Sequence, residues 1–147
     1  MTKRTSPQWQ PISQLPLLVR HINGVLLSAN KQHGLLQLAR SRPYILDDDT
    51  VGRVKEVFTT QQGDLWLFDE QLERWKALPL TAAQRQEVER LVAQMQELHT
   101  VLAAILELAK ELEQGTIERQ LAKSDLELGM EVLRNPDLLR RNERWPV

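Results

Sequence analysis

Apolar side chains recur along much of this chain at alternating steps of three and four, a spacing that keeps them on one stripe of an α-helix. From Leu15 the series runs through Leu18, Ile22, Val25, Ala29, Gln32, Leu36 and Ala39, with Gln32 as its single polar interruption. From Val51 the same steps give Val54, Phe58, Gln61, Leu65, Phe68, Leu72 and Trp75, again with one glutamine. From Val88 they give Leu91, Met95, Leu98, Leu102, Ile105, Ala109 and Leu112 without interruption. The pattern predicts three long amphipathic helices.

Helix boundaries follow from residues that cannot continue a helix or that cap one. Arg40-Ser41-Arg42-Pro43 and Leu78-Pro79-Leu80 separate the three seams, because proline removes a backbone donor and clashes with the preceding turn. Connections this short make consecutive helices antiparallel neighbours. Asp49 or Thr50 is expected to cap the second helix, Thr81 with Gln84 forms a capping-box pattern for the third, and Gly115 suits a left-handed C-terminal residue. Beyond it, Thr116 to Lys123 reads as a short helix. Ser124 with Glu127 then forms a second capping-box pattern ahead of Leu126, Met130 and Leu133, and Asn135-Pro136 stops it. The expected fold is all-α: an antiparallel three-helix bundle or coiled coil with an additional short C-terminal helical pair. Residues 1–11 form an N-terminal arm, 12–135 the helical bundle domain and 136–147 a C-terminal arm. Asn23-Gly24 and Gln62-Gly63 would each suit a β-hairpin turn, but the flanking segments lack period-two alternation.

Pairing the seams as antiparallel hairpins makes a finer prediction. If first- and second-helix positions pair when they sum to about 93, Gln32 meets Gln61. A sum near 160 between the second and third helices brings Gln61 level with Leu98 and His99. One layer would then hold Gln32, Gln61, His33 and His99 among apolar layers, as a hydrogen-bonded register device or, in the sharper reading, a small-ligand or metal site using the imidazoles. The third helix is the longest, so Leu102, Ile105 and Leu112 are expected to overhang their neighbours and seek a partner.

Length and composition narrow the classes of function. At 147 residues the chain suits one domain, and its net charge of −1 gives no global attraction to nucleic acid or anionic membranes. The absence of cysteine excludes a disulfide scaffold, a thiolate metal site and a cysteine nucleophile. There is no apolar run long enough for a membrane helix, and Met1 leads into polar residues, so the expectation is a soluble cytoplasmic protein.

Catalytic motifs are missing too. The sequence contains no phosphate-binding loop, dinucleotide fingerprint, nucleophile elbow or His-Glu-x-x-His. None of His21, His33 and His99 has a glutamate three residues before it, as a di-iron bundle requires. Asp47-Asp48-Asp49 has the chemistry of a hard-cation site, but it precedes a helix start, where carboxylates cap the positive end of the dipole. No catalytic residue, metal or cofactor is assigned.

What is left is surface. Trp66 lies off the second seam beside Leu65, either as core against a fourth helix or as an interface anchor. Trp145, with Leu138 and Leu139, makes the C-terminal arm too apolar for a free tail, so docking onto the chain or onto a partner is expected. Arg40, Arg42, Arg140, Arg141 and Arg144 gather outside the seams and are candidate phosphate contacts, although solubility and helix-end capping explain them equally. The expected function is a non-enzymatic protein–protein interaction module, a helical adaptor or small accessory subunit acting through coiled-coil surfaces. Its partner is another protein or a second copy, as in a homodimer, with no membrane involved. The alternative is a nucleic-acid-associated accessory or regulatory protein using the arginine-bearing loop and arms.

Overall fold

The computed structural model describes residues 7–42 and 46–134, and every regular element among them is helical. A 3-10 turn over Ile12–Gln14 leads into α1 (Leu15–Arg40), followed by α2 (Asp48–Lys76), α3 (Ala82–Glu113) and α4 (Ile117–Arg134). The fold is an all-α bundle, and the glycines of the two hairpin candidates, Gly24 and Gly63, lie inside α1 and α2. The heptad spacing outweighs the turn preference because continuing the helix keeps Ile22, Leu26 and Ala29, and likewise Phe58 and Leu65, on one buried stripe.

The helix starts show how local chemistry sets the boundaries. Thr81 and Gln84 make the reciprocal capping box, with Gln84 N donating to Thr81 Oγ1 at 3.1 Å and Thr81 N to Gln84 Oε1 at 3.0 Å. At α2 the cap is Asp47 rather than Asp49 or Thr50, its Oδ1 accepting from Thr50 N at 2.7 Å. Starting there makes Asp48 and Asp49 first-turn residues, where their charge favours the helix dipole. The expected left-handed Gly115 is not found: the chain turns through right-handed Gln114, and Gly115 N donates to Leu112 O at 3.0 Å. The C-terminal pair is also corrected, since a single helix runs from Ile117 to Arg134 through Ser124.

Helix α3 is the shared neighbour. It packs along both α1 and α2, whereas α1 and α2 lie along α3 more than along each other. Gln94 Nε2 donates to Asn23 Oδ1 at 2.7 Å and Arg40 Nη2 to Glu111 Oε1 at 3.0 Å, so both cross-links join residues 71 apart. That constant offset shows α1 and α3 running parallel. Across the other interface, His99 Nε2 lies 2.7 Å from Asp69 Oδ2 and Lys55 Nζ lies 2.9 Å from Glu113 Oε2, pairs whose positions sum to 168. The antiparallel register is therefore shifted by about one heptad from a sum of 160. A slip of one heptad restores the same apolar pattern, so seam periodicity does not distinguish the two registers.

The shift explains a second correction. Leu102 and Ile105 are fully buried and Leu112 nearly so, all within one chain, and none is left over for a partner. Helix α1 lies alongside α3 as far as Glu111 in its last turn, and the start of α2 reaches the same C-terminal end through Lys55 and Glu113.

Candidate interaction surface

The predicted polar layer does not assemble. His99 stands on the rim of the α2–α3 interface, exposed and paired with Asp69. His33 lies on the α1–α3 side, lining a shallow cleft with Gln37, Arg40 and Glu107. No hydrogen bond joins Gln32 to Gln61, and Gln61 Oε1 is buried without a protein partner. The physical reason is again placement: with α3 between α1 and α2, the two glutamines belong to separate interfaces.

Trp66 is neither core nor isolated. It is 53% exposed and meets Trp9 edge-on, ring centroids 6.4 Å apart, while the Arg74 guanidinium sits 4.4 Å from the Trp9 ring centroid. Residues just before α1 are held there by α2 side chains that bond the Gln10 backbone. Gln71 Oε1 accepts from Gln10 N at 2.7 Å, Gln71 Nε2 donates to Gln10 O at 3.3 Å, and Trp75 Nε1 donates to the same carbonyl at 2.9 Å. The described part of the N-terminal arm is thus strapped across α2. Above the strap, α1 and α2 flank an apolar groove of about 500 Å³, lined by Leu17, Leu18, His21, Phe68 and Trp75 among others. The His21 and Phe68 rings bridge it with centroids 5.2 Å apart.

The acidic triplet is engaged internally. Asp47 caps α2, Asp49 Oδ2 accepts from Arg53 at 2.8 Å, and Asp48 Oδ1 accepts from Thr116 Oγ1 at 2.6 Å. The Asp47 carboxyl is held below its ordinary pKa, chiefly by the Thr50 side chain and then by the Thr50 N–H. Glu113 is lowered in the same way by its hydrogen bond and charge interaction with Lys55. Among the described residues no group of three or more histidines and carboxylates has metal-binding geometry.

Of the arginines, Arg40 is paired with Glu111 and Arg42 is exposed. Arg140, Arg141, Arg144 and Trp145 lie outside the described residues, as does the proposed docking of the C-terminal arm.

The surface that sequence reading missed is the outward side of α1. Leu17, Leu27, Leu35 and Leu38 are all half or more exposed, reaching 72% at Leu27 and 73% at Leu38. They share the side of α1 opposite its buried seam: Leu17, Gly24, Lys31 and Leu38 follow at strict heptad spacing, with Leu27 and Leu35 beside them. Arg20 and Lys31 lie on this same side, and α1 contains no carboxylate. The first carboxylate of the whole chain is Asp47, after six basic residues, whereas the remainder carries 20 carboxylates against 13 basic residues. The overall charge near zero hides this asymmetry, which splitting the sequence at Asp47 reveals. Helix α4 also exposes apolar side chains. Leu121, Leu126, Met130 and Leu133 are exposed, Leu133 at 84%, and among the described residues no extended packing joins α4 to the three long helices.

No family model, curated protein or solved structure matches the chain. Among the described residues no helix is long and apolar enough to cross a membrane.

Proposed function

We propose that this chain is a non-enzymatic protein–protein interaction module, a helical adaptor or small accessory subunit of the cytoplasm, working through helix-on-helix contacts. The observation that carries this reading is the outward leucine stripe of α1. Four leucines stand exposed along one side of a helix whose other side is already buried, and exposed apolar surface of this kind marks interaction sites. Leu17 and Leu38 lie three heptads apart with Leu27 and Leu35 between them on the same side, an elongated face that suits a helical occupant. The seam residues first expected to serve, Leu102, Ile105 and Leu112, are instead the core that holds α1 in place.

The test is affinity capture of the tagged full chain, with the double substitution Leu27→Asp/Leu38→Asp as its control. The expected result is a stoichiometric protein partner held by the wild type and lost by the variant. An identical set of proteins on both overturns the reading. The carboxylate-free stretch before Asp47 gives a second reading, nucleic-acid association, its own support. Retention on heparin that falls steeply with salt, and that survives Leu27→Asp/Leu38→Asp, would favour it, because phosphate contacts release counterions.

A further inference from the structure

We infer that the outward face of α1 receives an acidic amphipathic helix of another protein, one that carries carboxylates within its apolar stripe. This names the occupant for the interaction-module reading and rests on it. The face joins two kinds of unmet need. Leu17, Leu27, Leu35 and Leu38 stand in solvent, and Arg20 and Lys31 are exposed among them.

The cations lack partners as the leucines do. Every basic residue of α2, namely Arg53, Lys55, Arg74 and Lys76, forms an ion pair within the chain, and Arg40 at the end of α1 bonds Glu111 of α3. Among the described residues neither Arg20 nor Lys31 forms one. Glu87 lines a shallow cleft with Arg20, yet its carboxylate is bonded to Arg90 at 2.6 Å. Helix α1 has no carboxylate of its own, so its outward side carries positive charge that the helix does not offset.

Where the cations sit selects the kind of partner. Lys31 shares the heptad position of Leu17 and Leu38, and Arg20 shares that of Leu27, so charge lies within the stripe rather than along its border. A helix lying in a membrane surface keeps its charges on the side opposite the inserted one, whereas here insertion of Leu27 and Leu35 would carry Lys31 toward the acyl chains. Nucleic acid answers the cations with phosphate but offers four leucines no continuous apolar surface. A second α1 brings the same cations and no carboxylate to meet them. A helix of another protein meets both needs, setting apolar side chains against the leucines and carboxylates against Arg20 and Lys31. Those cations are eleven residues apart, about 16 Å or three turns, so carboxylates at the same spacing lie on one side of the partner. Charge then sets partner choice and register, while the leucines supply the buried area.

Fluorescence anisotropy of the full chain with a pair of labelled peptides tests this. Each peptide is an amphipathic helix of about three heptads with a leucine stripe, and the stripe carries glutamates at the Arg20 to Lys31 spacing in one and lysines in the other. The wild type should bind the glutamate peptide about tenfold more tightly than the lysine peptide or better, with the preference shrinking as salt rises. Arg20→Glu/Lys31→Glu should invert the preference, and Leu27→Asp/Leu38→Asp should abolish binding of both peptides. The altered positions are exposed, so helicity and melting are expected to be unchanged. If a charged variant unfolds, Arg20→Gln/Lys31→Gln should cancel the preference and Leu27→Gln/Leu38→Gln should weaken binding of both peptides. A wild type that binds neither peptide, or both equally, overturns the inference. Binding of phosphatidylserine vesicles in place of the peptides overturns it in favour of a lipid surface, and a wild-type dimer broken by Leu27→Asp/Leu38→Asp overturns it in favour of a second copy. A captured protein that depends on Leu27 and Leu38 but is indifferent to Arg20→Glu/Lys31→Glu overturns the acidic occupant alone and leaves the interaction-module reading standing.

Discussion

Helices α3 and α4 use much the same residues, leucine with glutamate, lysine and arginine, and meet opposite fates. Helix α3 buries ten side chains, whereas the four large apolar residues described on α4 are all exposed. The difference lies in the neighbours. Helix α3 receives α1 on one flank, where Gln94, Val101 and Leu108 follow at heptad spacing, and α2 on the other, where His99 and Glu113 meet Asp69 and Lys55. Helix α4 is tethered at its first turn, and among the described residues no further extensive packing of it is found. Amphipathic spacing states what a helix needs, and connection geometry decides whether its own chain supplies it.

The largest way to sharpen this contrast is the same truncation made on each helix. Leu102→Ala removes side-chain volume from a fully buried site and is expected to cost about 2–5 kcal/mol, since the lost transfer free energy adds to that of the cavity. Leu126→Ala removes the same atoms from an exposed site, where substitutions usually stay within about 0.5 kcal/mol. Urea unfolding below the dissociation point of any dimer measures both. Comparable losses at the two sites would mean that α4 is packed within its own chain in solution.

Much of the bundle was legible in the apolar phase. All eight seam positions from Val88 to Leu112 are buried, and most of the α1 and α2 seams are buried or packed against the core. The Thr81 cap was legible because its partner lies three residues away. Register was not, because a shift of one heptad leaves Leu65, Leu72 and Met95 facing apolar partners either way. The contacts that set it, Asn23 with Gln94 and Lys55 with Glu113, are polar pairs far apart in sequence. The leucine face of α1 was missed for a related reason. Its members form a second stripe opposite the seam, and a search for one stripe per helix passes over Leu17, Leu27, Leu35 and Leu38.

A smaller effect tests the register itself. Gln61 Oε1 is buried with no partner, and Gln32 does not reach it, so Gln61→Leu should stabilise the chain by about 1 kcal/mol through removing an unsatisfied polar group. Gln32→Leu should act independently. Double-mutant analysis of the unfolding free energies is expected to be additive within about 0.5 kcal/mol. A coupling well above that value would place the two amides in contact and restore the shorter register.

The smallest effect is electrostatic and sits where the well-packed and unpacked regions join. Asp47 and Glu113 flank the point at which the start of α2 meets the end of α3 and the first turn of α4. Both carboxyls titrate below their ordinary values, Asp47 through the Thr50 hydroxyl and N–H, Glu113 through Lys55. A folded-state pKa below the unfolded one means that the contribution is complete above the ordinary carboxylate range near pH 4 and disappears as the pH falls through the lowered value. Acid should therefore weaken this junction, while the neutral range leaves it intact. Both groups are solvent-exposed and screened, so the shift in melting temperature is expected to be small. The titration of the carboxyl carbon resonances reads the effect directly. Lys55→Met should raise the Glu113 midpoint toward the ordinary glutamate value and leave Asp47 where it is. Thr50→Val removes the hydroxyl but keeps the backbone N–H, so it should raise Asp47 part of the way and leave Glu113 unmoved. Ordinary midpoints for both groups in the unsubstituted chain would mean that the junction is open in solution, and the hydrogen bonds that hold Thr116 and Glu118 at Asp48 would be lost with it.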